Sequence, residues 1–207
     1  MVPGMPAPAS TRSRASALPA EERRARIVEA ALPLFLAQGG AVTTREVAQA
    51  AGIAEGTIFR VFADKTELLE ALIDRALDTG PVEAALARID RSLAFEQRIV
   101  AAAEILRARV AYVFRVLSMA SNFADGRRPA SRPPTELHEL VRLFEPEAER
   151  LRCSPSQAAG LLRGLTFSGT HSSFIVGEPL TSEEIVSVLL DGIRAEHMTR
   201  APGGRPC

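Results

Sequence analysis

The side chains able to do chemistry in this sequence fall into two sets. The first is histidine, cysteine and the nucleophiles. His138, His171 and His197 stand far apart, and none lies at i, i+3 or i+4 from a Cys, Asp or Glu cluster. Cys153 and Cys207 lack metal-ligand spacing. Ser168 precedes Gly169, but residue 166 is threonine, so the nucleophile-elbow spacing fails. There is no P-loop and no G-x-G-x-x-G. No catalytic residue, metal or cofactor is assigned, and an enzyme is not expected. The second set is Thr44, Arg45, Thr57, Arg60 and Lys65, gathered in 42–69, VTTREVAQAAGIAEGTIFRVFADKTELL. Hydroxyls and permanent cations build a binding surface, not a reaction centre.

Local signals say which elements position these groups. Thr43 and Thr44 are helix N-cap types. Val47, Ala48 and Ala51 open a short apolar face, and Gly52 stops it, because glycine tolerates the left-handed conformation past a helix end. Ile53 plugs the turn. A second short helix is expected over 54–62, with Ile58, Phe59 and Phe62 apolar. Asp64 caps a third, and Glu67 three residues on completes a capping box. Two short helices joined by a glycine turn describe a helix-turn-helix.

This stretch resembles the DNA-binding signature of TetR-type transcriptional repressors. The matching residues are Thr43-Thr44, Val47-Ala48, Ala50-Ala51-Gly52-Ile53, Gly56-Thr57-Ile58-Phe59, Phe62, Lys65 and Leu68-Leu69, and 27–39 is similar to the family's first helix. The resemblance implies an all-α protein: an N-terminal three-helix DNA-binding domain, then a C-terminal helical domain for ligand binding and dimerisation. It places the second short helix in the major groove of a double-stranded, palindromic operator. Thr44, Arg45, Thr57, Phe59, Arg60 and Lys65 are then the DNA-binding residues. Arg60 is assigned a guanine contact, and Thr44 and Lys65 phosphates. The implied partners are a second copy of the chain and an unidentified small-molecule effector. The sequence departs from the family in three places. Gly39-Gly40-Ala41 stands where an aromatic is usual, Phe59 replaces the usual tyrosine and loses its hydroxyl, and Val61 replaces a histidine or tyrosine. The competing reading is a helical adaptor whose helix-turn-helix serves protein contacts.

Composition is compatible with a DNA-binding function without demanding it. The 207 residues have zero formal net charge. Residues 1–62 hold seven arginines and five carboxylates, followed by Lys65, the chain's single lysine. Affinity for phosphate would then depend on placement and on doubling in a dimer. No run approaches the roughly 20 apolar residues of a membrane span, and the N-terminus lacks an apolar signal core. A cytoplasmic, reduced protein with no membrane partner is expected.

The expected organisation is a disordered arm at 1–18, a helix-turn-helix domain at 19–64, a linking helix at 65–80, an effector and dimerisation domain at 81–199, and a disordered tail at 200–207. The arm carries Arg12 and Arg14, which suit a phosphate or the minor groove. Pro33 falls inside the first helix and predicts a bend. Thr79-Gly80-Pro81 should stop the linking helix. Periodicity then predicts helices over 82–90, 95–121, 135–144, 155–172 and 182–197, with a loop at 124–134 and a short helical piece up to Leu151. The last two helices have apolar faces wider than one neighbour needs and are assigned to a dimer. Leu106, Val110, Phe114, Leu117, Phe144, Phe167 and His171 are candidates for the lining of an effector cavity, mostly apolar with one polar group.

Overall fold

A computed structural model describes residues 19–121, 135–171, 175 and 177–194. The expected arm at 1–18, loop at 124–134 and tail at 200–207, together with His197 and Cys207, lie outside these residues. The described chain is all helical: α1 (Ala20–Gln38), α2 (Thr44–Ala51), α3 (Glu55–Val61), α4 (Lys65–Leu77), α5 (Gly80–Leu86), α6 (Phe95–Ser121), α7 (His138–Phe144), α8 (Pro155–Thr170) and α9 (Ser182–Ile193). Short 3-10 turns fill Gly39–Ala41 and Glu145–Arg150, and the only extended pairing among the described residues is an isolated bridge between Leu151 and Arg194. No described helix is long and apolar enough to cross a membrane.

Side-chain caps open α2, α4, α8 and α9. Thr43 accepts from the Glu46 N–H at 3.2 Å while the Glu46 carboxylate accepts from the Thr43 N–H at 2.8 Å. Ser154 with Gln157 and Thr181 with Glu184 repeat this reciprocal box. The box expected at Asp64 is only half made. Asp64 accepts from the Glu67 N–H, but Glu67 turns away to the Ala63 N–H and to Arg24. One oxygen of Glu67 takes the Ala63 N–H and the other the charge-assisted bond from Arg24, at 2.7 Å each. Thr44 is not a cap but the first residue of α2, so its hydroxyl is left for another partner.

Several helix boundaries differ from the sequence reading: α8 and α9 end at Thr170 and Ile193, not at 172 and 197, and two helix starts differ as well. Gly80-Pro81 opens α5 rather than only ending α4, because a first-turn proline loses no needed N–H. Helix α7 starts at His138, not 135: the carboxylate of Glu83, on α5, accepts from the backbone N–H groups of His138 and Glu139 at 2.7 and 3.0 Å. Helix α1 runs through Pro33, which sits on its exposed side where the freed carbonyl of Glu29 can turn to water.

Two apolar cores result, and α6 belongs to both. The N-terminal core joins Ile27, Ala31 and Phe35 of α1, Val47 and Ala48 of α2, Ile58 of α3, Phe62, and Leu68, Leu72 and Ala76 of α4. The C-terminal core joins Leu86, Leu140, Phe144, Leu162, Ile185 and Leu189. Ile99, Ala102, Ala103 and Leu106, from the first half of α6, enter the C-terminal core. Val116 and Met119, from its second half, are buried in the N-terminal one. The sequence placed all of 95–121 in the effector domain. Its second half is apolar on several sides because it packs against α1 and α4 of the reading head.

Candidate nucleic-acid interface

The head is built so that α3 is held from behind. Gly52 ends α2 with φ 66° and ψ 36°, a left-handed conformation that no side chain shares cheaply, and the Ile53 N–H then returns to the Ala48 carbonyl at 3.0 Å. The turn sends α3 off with Ile58 and Phe62 facing inward, 2% and 1% exposed. Arg24 of α1 braces this arrangement. Its guanidinium lies 4.4 Å from the centre of the Phe62 ring, donates to the Val61 carbonyl at 3.3 Å and pairs with Glu67 at 2.7 Å. Arg24 was not singled out from sequence, and Glu67 only as the capping-box partner of Asp64; no local pattern marks a contact between residues so far apart in the chain.

What remains outside is the candidate interface. Arg45 and Arg60 are exposed, Thr57 is half-buried, and Phe59 keeps 55% of its surface. The other two DNA candidates already have partners. Lys65 donates from Nζ to the Val42 carbonyl at 3.3 Å and lies 5.9 Å from the centre of the Phe35 ring. Thr44 donates from Oγ1 to Oε1 of Glu55 at 2.7 Å. All six residues lie in the helix-turn-helix or at the start of the helix that follows it.

The hydrogen bond from the Ala63 N–H, aided by Arg24, holds the Glu67 carboxyl below the ordinary glutamate range. A group whose folded pKa is lowered stabilises the fold above its unfolded pKa, and that contribution is lost as pH falls through the folded value. Thermal unfolding of the head should therefore come at lower temperature below about pH 4.5. A Glu67→Gln variant should show a flatter pH dependence over the same interval, measured by circular dichroism at matched ionic strength.

The effector candidates do not converge on one place. Phe114 lies between Phe167 and His171, with ring centres at 5.4 and 3.7 Å. His171 is the residue after α8 and is half-buried. Leu106 is buried in the C-terminal core, Leu117 packs on the N-terminal one, and Val110 is half-buried between them. Phe144 packs edge-on against Phe95, at the start of α6. At 1.5 Å per residue that is about 28 Å along the helix from Phe114, so Phe144 is not beside the aromatic group. On the same helix, α6 grips the end of α4: Arg109 donates to the Asp78 carbonyl at 2.7 Å, and Arg75 pairs with Asp78 and Glu29. Burial pushes the Arg109 guanidinium below the usual arginine range. Among the described residues, no group of three His, Cys, Asp or Glu side chains is placed to hold a metal ion.

A second surface lies on α8 and α9. Leu161, Phe167 and Val188 are 47%, 43% and 57% exposed. A side chain built at Gly160, Gly164 or Gly192 would meet nothing within 4 Å. Gly169 differs, since a Cβ there would come within 3.3 Å of Leu180 and 3.4 Å of Ile185. One glycine of α8 thus serves contact inside the protomer, and two lie open.

Comparison with known proteins agrees with the head. Residues 27–72 match the family model described as bacterial regulatory proteins, tetR family. The nucleoid occlusion factor SlmA of Actinobacillus pleuropneumoniae serotype 5b is 38% identical over 61 residues, covering 28% of this chain and 30% of its own. The transcriptional regulator TtgR of Pseudomonas putida is 43% identical over 61 residues, covering 29% of each. The match therefore spans less than a third of the length of these curated relatives. A solved TetR-family structure from Mesorhizobium loti, 16% identical, superposes with a TM-score of 0.57 over 86% of this chain and 100% of its own. It carries the likeness of fold beyond the head.

Proposed function

We propose that this chain, which belongs by its N-terminal domain and all-helical fold to the TetR family of bacterial regulatory proteins, is a cytoplasmic, ligand-responsive repressor. It binds a palindromic operator as a homodimer and is released by a small apolar molecule. The observation that carries this reading is the exposed face of α3. Arg60 and Phe59 stand outward while Ile58 and Phe62 anchor the helix from behind. Inserted in the major groove, Arg60 would contact guanine through its paired N–H groups. Lys65 would position the head on a phosphate, within reach of the carbonyl it now holds.

Dimerisation would use the open faces of α8 and α9, forming a four-helix bundle with the partner's copies. Two heads would then sit about 34–36 Å apart, or a multiple of that. The effector would enter beside Phe114, Phe167 and His171. Displacing Phe114 moves the half of α6 whose Val116 and Met119 sit in the head's core, and so moves α4. Only a ligand that binds the two head spacings unequally can act this way. A coupling of about 1–3 kcal/mol would lower operator affinity about 5- to 150-fold.

Two variants test the reading by fluorescence anisotropy on a bound palindromic duplex. Arg60→Ala should cost about 1–3 kcal/mol and relax sequence preference. Lys65→Ala should weaken all sequences alike and reduce the salt slope by about one. Binding that ignores both salt and sequence would instead favour the helical adaptor.

A further inference from the structure

Glu55 does not fit a surface made only to hold phosphates. It opens α3 and is exposed, and no cation pairs with it among the described residues. A carboxylate set among phosphates repels them unless a donor satisfies it. Thr44 donates to one of its oxygens, Oε1, at 2.7 Å, which fixes the carboxylate and leaves Oε2 able to accept. Phe59 lies one turn further on, at the i+4 position, so the two side chains share an edge of the helix. Its ring is 55% exposed and takes no part in the core, which Ile58 and Phe62 fill. Having no hydroxyl, it cannot donate to a phosphate.

The base features that match these two groups are specific. In the major groove a carboxylate accepts from the N4 amine of cytosine, and an aromatic ring packs on the C5 methyl of thymine. Side chains one helical turn apart are about 5–6 Å apart at Cβ, or one to two steps of about 3.4 Å along a strand. We propose that the Glu55–Phe59 edge of α3 reads pyrimidines, Glu55 selecting a cytosine and Phe59 a thymine within about two base pairs of it. Thr44 is then a positioning residue that aims Glu55. This inference rests on the DNA-binding function proposed above and adds which bases the head selects.

The test uses the full chain and a library of randomised duplexes. Wild type should enrich half-sites holding a cytosine and a thymine at that spacing. Glu55→Gln should switch the cytosine position to adenine, because an amide pairs with adenine through both its groups. The change in relative affinity should be about 5- to 150-fold. Thr44→Val should blunt the cytosine preference and Thr44→Ser restore it. A second measurement needs no variant of the protein. Replacing the selected thymine by deoxyuridine removes only the methyl, and should weaken wild-type binding about fourfold for each thymine replaced while leaving Phe59→Ala unaffected. The proposal is overturned if wild type and Glu55→Gln select the same bases, or if wild type binds deoxyuridine as tightly as thymidine. If wild type enriches no motif at all, the DNA-binding function itself fails and takes this inference with it.

Discussion

A Val188→Glu variant should run as a monomer and bind a palindromic duplex about 10²- to 10⁴-fold more weakly than wild type. The loss follows from tethering. Two heads on one operator bind with the second step made intramolecular, and separating them forfeits that gain. Val188 is the most exposed large apolar residue of α9, at 57%, and Leu161 at 47% stands out on α8. In a two-fold dimer a substitution occurs twice across the same interface. Two carboxylates brought together out of water cost several kcal/mol per ion. The protomer itself does not need Val188, since Ile185, Leu189 and Leu190 supply the buried face of α9. Light scattering should therefore show the mass of one chain while circular dichroism shows unchanged helix. A dimer mass for this variant, or an affinity within tenfold of wild type, would remove α9 from the interface.

Phe62→Ala should destabilise the reading head by about 3–5 kcal/mol, the range for truncating a buried phenylalanine. Phe62 is 1% exposed and packs in the core shared by α1, α2, α3 and α4. It also carries the Arg24 guanidinium over its ring, so the variant loses a cation–π contact. Phe59→Ala is the control, because it deletes the same side chain three residues away from an exposed position. Surface changes of that kind usually stay within about 0.5 kcal/mol. Urea titrations should thus separate the two phenylalanines by several kcal/mol, while DNA binding suffers in both. Equal stability losses would mean that Phe59 is core and that α3 faces elsewhere.

These two phenylalanines also mark what could be read before the fold was known. The glycine turn at Gly52, the caps at Thr43 and Asp64, and the span of α6 were legible because each depends on residues within a turn or two of one another. Short-range steric and hydrogen-bond preferences act the same way in any tertiary setting, so spacing determined the helix-turn-helix and periodicity the main helices, while the all-helical class as a whole came from the family resemblance. The outward residues of α3 follow from a related rule: once Ile58 and Phe62 take the inner face of a short helix, Phe59 and Arg60 have to lie outside it.

Other features waited on contacts between distant parts of the chain. Nothing near Thr44 says that its hydroxyl goes to Glu55, or that Glu67 prefers Arg24 to closing a capping box. The start of α7 was misjudged because its cap is Glu83, on another helix. The aromatic group of Phe114, Phe167 and His171 separates from Phe144 because a 27-residue helix keeps its two ends far apart, however alike their apolar residues look in sequence. The division of α6 between two cores is of the same kind. Periodicity reports that a helical face is apolar, but which neighbour covers it is decided only when the helices pack.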